Sequence, residues 1–244
     1  MNSSNLFLQS IHVAFGESKI LTDLSFRINE GEAKFIVGPN GSGKTTLFNV
    51  IAGVVRQTQG TVMLGNREVS SLPSHLRCQA GIVRSFQIPC LSPALTALDH
   101  VLISIRGSKP LFNNAFHAKD SVGEMQQATQ ILEDFGLSAD QWRNADTLTH
   151  SQRKLLDVAC VFAARPRLAL LDEPSSGIDE SEKKLLAQAI LARPKNTTML
   201  LIEHDMEFVN TLGFPVAFLS DGHIFAEGGL DYVKALPEAA DVYF

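Results

Sequence analysis

The stretch that decides how this chain folds reads Gly38-Pro39-Asn40-Gly41-Ser42-Gly43-Lys44-Thr45-Thr46. It matches G-x-x-x-x-G-K-[ST], the pattern of a glycine-rich phosphate-binding loop. The apolar residues 33–37 before it predict a buried strand, and residues 46–52 after it predict a helix that ends at Gly53. A strand, a glycine-rich loop and a helix in this order aim backbone N–H groups at an anion, so we expect a nucleotide phosphate site here.

Several residues of this loop have a definite chemical task in such a site. Gly41 and Gly43 allow the backbone to pass close to phosphate oxygens. Lys44 offers a positive charge to the β- and γ-phosphates, and the Thr45 hydroxyl is a ligand for Mg²⁺. A chance match is the alternative. The flanking strand and helix argue against it, because they are independent of the pattern and still agree with it.

The bulk composition restricts the remaining classes of function. The 244 residues suffice for one large domain or for one domain with an inserted subdomain. A formal net charge of -5 leaves no electrostatic footprint for nucleic acid, so we expect no nucleic-acid partner. The three cysteines lack metal-ligand spacing and favour a reducing compartment. No apolar run reaches about 18 residues, so another chain would have to hold this one at a membrane.

The hydrophobic pattern predicts an α/β fold. The loosely alternating residues 6–13 and 24–28 predict an antiparallel β flap ahead of a mostly parallel sheet. Further strands are predicted at 60–65, 81–87, 167–174, 197–202, 215–220 and 223–227. The region between them is mostly helical. We therefore predict one domain, 1–244, whose core comprises about 1–90 and 166–244 and whose helical subdomain is inserted at about 91–165.

Polar side chains follow the core strands at their carboxyl ends. The set comprises Gln87, Asp172, Glu173 and His204. Open α/β sheets bind ligands at this edge, so we expect these side chains to meet Lys44 and Thr45 at one site. A single carboxylate after a strand is more often a helix cap, and a single histidine there is usually structural. The convergence of several strand ends on one phosphate site favours the functional interpretation.

The chemistry of these groups suggests individual roles. Transfer of a phosphoryl group to water needs a residue that orients the nucleophile and takes its proton, and Glu173 is the candidate. Gln87 and His204 are neutral hydrogen-bonding groups suited to the water or to the γ-phosphate. We expect Mg²⁺, which prefers oxygen ligands, to be held by Thr45, Gln87 and Asp172, the last through a water.

With these motifs, the chain resembles the ATP-binding subunits of ABC transporters over essentially its full length. The loop 38–46 is similar to the Walker A motif, and 168–173 is similar to Walker B followed by a catalytic glutamate. Gln87 resembles the Q-loop glutamine, His204 the switch histidine, and Asp179 belongs to a D-loop-like segment. Phe15 alone would be interpreted as a packing residue beside a turn. The resemblance instead implies that it stacks on adenine.

One hallmark of the family is altered in this chain. The position of the LSGGQ signature reads Leu148-Thr149-His150-Ser151-Gln152. In the family this segment closes over the γ-phosphate of ATP held by the opposite subunit. Ser151 replaces a glycine, and its side chain either weakens closure or adds a hydroxyl contact. The alternative, that this segment is simply a helix start with Thr149 as N-cap, is compatible with both.

The resemblance implies partners and a location. Segments 81–87 and 203–209, the histidine of the signature and the tail 241–244 are similar to the group that energises uptake of branched-chain amino acids and urea. It implies ATP and Mg²⁺ as ligands, a second ATPase subunit as homo- or heterodimer partner, and transmembrane permease subunits. A solute-binding protein would be an indirect partner. The implied location is peripheral, at the cytoplasmic face of the inner or plasma membrane.

Two other functions remain open from the sequence. A non-transport ABC ATPase would act on nucleic acid or protein machinery, but such proteins usually carry paired modules or long coiled-coil arms, and this chain has neither. An attenuated ATPase would act as a nucleotide-dependent switch. Ser151 favours that second alternative, whereas the presence of Glu173, Gln87 and His204 argues against it.

Overall fold

The computed structural model describes residues 4–107 and 121–239, in two sheets flanked by helices. The tail at 241–244 and part of the predicted helical insertion lie outside the described residues. The strands are β1 (Ser4–Phe15), β2 (Ser18–Asn29), β3 (Ala33–Val37), β4 (Gln59–Leu64), β5 (Arg67–Glu68), β6 (Ile82–Arg84), β7 (Leu168–Asp172), β8 (Thr198–Ile202), β9 (Val216–Ser220) and β10 (His223–Gly228). The helices are α1 (Lys44–Ala52), α2 (Ser74–Gln79), α3 (Ala97–Gly107), α4 (Ser121–Asp134), α5 (His150–Ala163), α6 (Glu180–Leu191), α7 (Met206–Leu212) and α8 (Leu230–Lys234).

The two sheets confirm the predicted fold class. The smaller sheet has the order β2-β1-β4-β5, and its neighbouring strands are antiparallel. The larger sheet has the order β10-β9-β3-β8-β7-β6, and only β10 runs antiparallel to its neighbour among the described strands. Every residue of β3, β7 and β8 is buried, because both faces of a parallel sheet are covered.

Two hydrophobic clusters cover the two faces of the larger sheet. One joins the sheet to the flap and to α1, through residues such as Ile36, Phe48 and Leu8. The other joins the opposite face to α3, α4 and α5, through residues such as Phe35 and Leu156. The predicted helical region therefore shares its core with the sheet. Its division from the rest of the chain at about 91 and 165 stays a prediction.

The strand predicted at 81–87 was wrong at its carboxyl end. The strand β6 ends at Arg84, so Gln87 lies in the loop that follows instead of at the strand end itself. The reason is a change of hydrogen-bond partner. The N–H of Ser85 still donates to the carbonyl of Leu170 on β7 (2.9 Å), but the N–H of Phe86 donates to the Asp157 carboxylate (2.9 Å). The Asp157 side chain on α5 therefore ends the hydrogen-bond ladder between β6 and β7.

Candidate active site

The phosphate-loop sequence forms a tight turn between β3 and α1. The first residue of α1 is Lys44, and Gly43 before it has φ 107°, while Gly41 has φ 81°. Both angles lie in the region that side chains disfavour. A Cβ atom at Gly43 would lie 2.7 Å from Cδ2 of Leu21, and one at Gly38 would lie 1.9 Å from the carbonyl oxygen of Leu219. Glycine is therefore required for the path of this loop.

The Lys44 ammonium is buried inside the loop that it closes. Its Nζ donates to the carbonyl oxygens of Gly38 (2.7 Å) and Pro39 (2.8 Å). Burial lowers the pKa of Lys44, and the nearby carboxylates of Glu173 and Asp172 partly offset this effect. Beside it, the buried hydroxyl of Ser42 has no hydrogen-bond partner within the described residues. A buried cation and an unpartnered hydroxyl are the groups that an anion would satisfy.

A cavity of about 380 Å³ opens above the loop. It brings together the predicted phosphate-binding and catalytic residues, and its lining comprises Ile20, Asn40, Gly41, Gly43, Lys44, Thr45, Thr46, Gln87, Glu173 and His204. Thr45 and Gln87 are among the lining residues, and their side chains carry oxygen atoms, the donor type that Mg²⁺ prefers. The predicted nucleotide and metal groups therefore fit the residues present here.

The Glu173 carboxylate lies between the other two predicted catalytic side chains. Its Oε2 accepts a hydrogen bond from Nε2 of Gln87 (3.2 Å), and its Oε1 is 3.4 Å from Nε2 of His204. Burial lowers the pKa of His204, and the Lys44 charge lowers it further, against the opposing effect of Glu173 and Asp172. The imidazole is therefore neutral at physiological pH. Glu173 itself has φ 47°, a left-handed conformation that is rare outside glycine.

Asp172 has a different environment from Glu173. It is the last residue of β7, and its Oδ2 lies 2.6 Å from Nη2 of Arg84 in a nearly buried ion pair. The other terminal nitrogen of Arg84 donates to Oδ1 of Asn49 on α1 (2.5 Å). The carboxylate predicted to hold Mg²⁺ is thus bound to an arginine in this structure, and its role as a metal ligand stays a prediction.

The signature-like segment lies at the surface, apart from this cavity. Thr149 is the N-cap of α5: its hydroxyl accepts from the N–H of Gln152 (3.1 Å), and the Gln152 side chain accepts from the N–H of Thr149 (3.0 Å). This capping box confirms the predicted helix start. The Ser151 hydroxyl reaches the carbonyl of Gly177 at 3.5 Å. Leu148 is buried beneath the segment, and His150 is the first helical residue.

Phe15 and Asp179 also lie outside the cavity lining. The ring of Phe15 is 56% exposed at the end of β1. Asp179 is the N-cap of α6, and its carboxylate accepts from the N–H of Glu182 (2.9 Å). Such exposure agrees with a surface that receives a ligand from outside, and their predicted roles in adenine stacking and in the D-loop stay predictions.

Sequence reasoning missed three buried charges next to this site. Lys154 donates to the carbonyl of Glu173 (3.0 Å), and Asp157 accepts from the N–H of Phe86. Burial raises the pKa of Asp157 to about 6, against the opposing effects of that hydrogen bond and of Lys154. The buried Glu203 carboxylate accepts from the N–H groups of Ser175 (2.8 Å) and His204 (3.1 Å). The signal in the sequence that could have identified them is the presence of charged residues within or next to apolar runs.

The chain matches the family model described as ABC transporter over residues 21–176. It is 29% identical to the high-affinity branched-chain amino acid transport ATP-binding protein BraF of Pseudomonas aeruginosa, over all of this chain and 98% of that protein. It is 32% identical to the probable branched-chain amino acid transport ATP-binding protein LivG of Methanocaldococcus jannaschii, over 94% of this chain and 93% of that protein.

A solved structure agrees with these relatives. The ADP conformation of MJ1267, an ATP-binding cassette of an ABC transporter, superimposes with a TM-score of 0.83 at 30% identity and covers 98% of both chains. In the described part of this chain, no helix is both long and apolar enough to cross a bilayer. The family model spans more than half of the chain, and the relatives align along nearly their whole length. The chain therefore belongs to the ABC transporter family, as an ATP-binding cassette.

Proposed function

We propose that this chain is the ATP-hydrolysing subunit of an importer and that Glu173 is its catalytic base. The observation that carries the proposal is the position of the Glu173 carboxylate. It lies at the edge of the cavity above Lys44, within reach of both Gln87 and His204. A carboxylate in this place is suited to orient a water against the terminal phosphate and to take its proton.

The other residues of the cavity divide the remaining tasks. Lys44 exchanges its carbonyl partners for phosphate oxygens, and backbone N–H groups of residues 40–46 donate to phosphate oxygens as well. Thr45, Gln87 and Asp172 would hold Mg²⁺ through their side-chain oxygens. When bound, Mg²⁺ neutralises charge that builds up on the phosphates. The neutral imidazole of His204 forms hydrogen bonds to the γ-phosphate or to the water.

We also propose that the cavity is half of a complete site. Its phosphate loop is open to solvent, whereas the capped N-terminus of α5 lies elsewhere on the surface. In a dimer, residues 148–152 of a second ATPase subunit would close over the γ-phosphate, and Asp179 would lie at the contact between subunits. The exposed ring of Phe15 would stack on the adenine.

A second surface is suited to a permease partner. The loop after Gln87 exposes Ile88 (80%), and it borders a cavity of about 260 Å³ lined by Ile88, Pro89, Leu91, Pro93, Ala145, Asp146, His150 and Arg153. This partly apolar groove joins the Gln87 loop to the proposed helical subdomain at about 91–165. A cytoplasmic segment of a transmembrane permease would bind here, and the chain would then lie peripherally at the inner face of the membrane.

The relatives suggest what the permease carries. BraF and LivG are named for transport of branched-chain amino acids, so we propose an importer of branched-chain amino acids or of urea and related amides, with a solute-binding protein as indirect partner. The attenuated switch that Ser151 suggests is not favoured, because Glu173, Gln87 and His204 meet at one cavity.

Steady-state ATP hydrolysis by the purified chain tests the catalytic assignment. We expect Glu173→Gln to lower kcat by about 100-fold or more, since the amide cannot take a proton from the water. Glu133→Gln is the matched control, because Glu133 is exposed on α4, and it should leave kcat unchanged. Undiminished hydrolysis by Glu173→Gln would overturn the assignment of the base.

A further inference from the structure

The helix α5 turns two charged side chains towards the protein interior. Lys154 is 3% exposed and Asp157 is 8% exposed, and they lie one turn apart among buried leucine and valine side chains. Isolated charges are costly to bury, so such groups are retained where they are paired or have a task. Their mutual charge interaction accounts for part of this arrangement. Each also forms a hydrogen bond to the backbone beside the site.

Lys154 holds the backbone of Glu173. Its ammonium donates to the Glu173 carbonyl oxygen at 3.0 Å, while the Glu173 N–H donates to the carbonyl of Ile202 on β8 at 2.9 Å. The residue between these two anchors has φ 47°, a conformation that a glutamate adopts only when its surroundings enforce it. The direction of the Glu173 side chain depends on that conformation. Lys154 is therefore the side-chain contact among the polar contacts that fix it, since the Glu173 carbonyl oxygen also accepts from the N–H of Ser176 (3.2 Å).

Asp157 binds the backbone next to Gln87, the neighbour of Glu173 in the site, from the same face of α5 as Lys154. Its Oδ2 accepts from the N–H of Phe86 at 2.9 Å, and Phe86 immediately precedes Gln87. This bond also ends β6 and starts the Gln87 loop. One helix face thus contacts the two backbone segments whose side chains, Gln87 and Glu173, meet at 3.2 Å.

We propose that Lys154 and Asp157 are positioning residues for hydrolysis, which fix Glu173 and the Gln87 loop to the helix that begins at the signature-like segment. The inference rests on the proposed function, because it presumes that Glu173 is the base. Since residues 148–152 would contact the nucleotide of the partner subunit, α5 would connect that distant contact to the catalytic groups of its own chain. Neither residue would touch ATP itself.

The test is the steady-state kinetics of Lys154→Met, an uncharged side chain of similar length. A misplaced base slows the chemical step without weakening nucleotide binding, so we expect kcat to fall about 10- to 100-fold while KM stays within about threefold. Lys154→Arg keeps a cationic donor and should recover most of kcat. Lys184→Met is the matched control, because Lys184 is exposed on α6, and it should change neither constant.

The outcomes separate this inference from the proposed function. If Glu173→Gln abolishes hydrolysis but Lys154→Met keeps the parental kcat, the positioning inference is overturned and the base assignment stands. If Glu173→Gln hydrolyses ATP normally, Glu173 is not the base. The proposed function is then overturned, together with the positioning inference that rests on it. A loss confined to KM would also overturn the inference. Should Lys154→Met fail to fold, the double variant with Lys154→Met and Asp157→Asn is used, because it also removes the carboxylate that would be left without its partner. The same loss of kcat is expected for this double variant.

Discussion

The Arg84 side chain connects three parts of the nucleotide site. Its guanidinium binds Asp172 at the end of β7 and Asn49 on α1, and it lies over the rings of Phe48 and Phe86 at 5.7 and 5.8 Å. A planar cation with several donors can serve carboxylate, amide and aromatic partners together, which a lysine cannot. Arg84 thereby fixes the carboxylate that we propose to act on Mg²⁺.

Loss of Arg84 should therefore be costly. We expect Arg84→Met to lower the free energy of unfolding by about 3–5 kcal/mol, because the Asp172 carboxylate is left buried without its partner. Urea denaturation measures this quantity. Arg106→Met is the comparison, since Arg106 pairs with Glu124 while its own side chain is 55% exposed, and it should cost less than about 1 kcal/mol. Equal losses in the two variants would contradict the account.

At the scale of single residues, the sequence predicted the groups that line the cavity but not the buried charges that hold them. Lys44 and Glu173 could be identified because a short motif or a strand end marks them. Lys154, Asp157 and Arg84 could not, because their partners are distant in the chain; Arg84 and Asp172, for example, are 88 residues apart. Only the packed structure shows which backbone group meets a buried charge.

At the scale of elements, the start of α7 shows how the site is attached to the rest of the fold. Asp205 is its N-cap and accepts from the N–H groups of Glu207 and Phe208, both at 3.0 Å. Lys183 on α6 also donates to Asp205, at 2.6 Å. Asp205 directly follows His204, so this cap fixes the loop that carries the imidazole.

We expect Asp205→Ala to lower the free energy of unfolding by about 1–2 kcal/mol at neutral pH. Burial raises the pKa of Asp205, but the hydrogen bonds from Lys183 and Phe208 outweigh it and hold the pKa below 3.8. A carboxylate whose pKa is lower in the folded protein stabilises the fold at pH values above its unfolded pKa. This contribution is lost as the pH falls through the folded pKa. The difference between variant and parent, from urea denaturation, should therefore be constant down to about pH 5 and diminish only below about pH 3.8.

The control for this cap is Asp134→Ala, at the carboxyl end of α4, which should change stability by no more than about 0.5 kcal/mol. A cost for Asp205→Ala that equals the control, or one that grows on acidification, would contradict the capping account.

Elements were predictable where a pattern is long or strongly apolar. The buried runs of β3, β7 and β8 and the amphipathic helix α6 lie where the sequence placed them. Helix α2 was missed because its six residues are too few to show a period. It is fixed instead by the buried Arg77, whose guanidinium donates to the carbonyl of Ile51 at the end of α1 (2.9 Å). The end of β6 was misplaced because Asp157 determines it.

At the scale of the whole molecule, the two segments that we propose as halves of a nucleotide site lie on one chain but apart. The cavity above Lys44 holds the phosphate loop and Glu173, whereas the capped start of α5 is at the surface outside its lining. Two chains facing each other in opposite directions would bring each cavity against the α5 start of the other. We therefore propose that ATP completes its site by joining two ATPase subunits, and that two copies of this chain suffice for this.

The mass of the Glu173→Gln variant in solution tests that claim most directly. Without hydrolysis, ATP and Mg²⁺ should hold two chains together. Multi-angle light scattering should therefore give twice the mass of one chain with ATP and the mass of one chain with ADP. Binding of a fluorescent ATP analogue confirms in parallel that the site is filled. A variant that binds ATP and Mg²⁺ yet keeps the mass of one chain at every protein concentration would contradict the account.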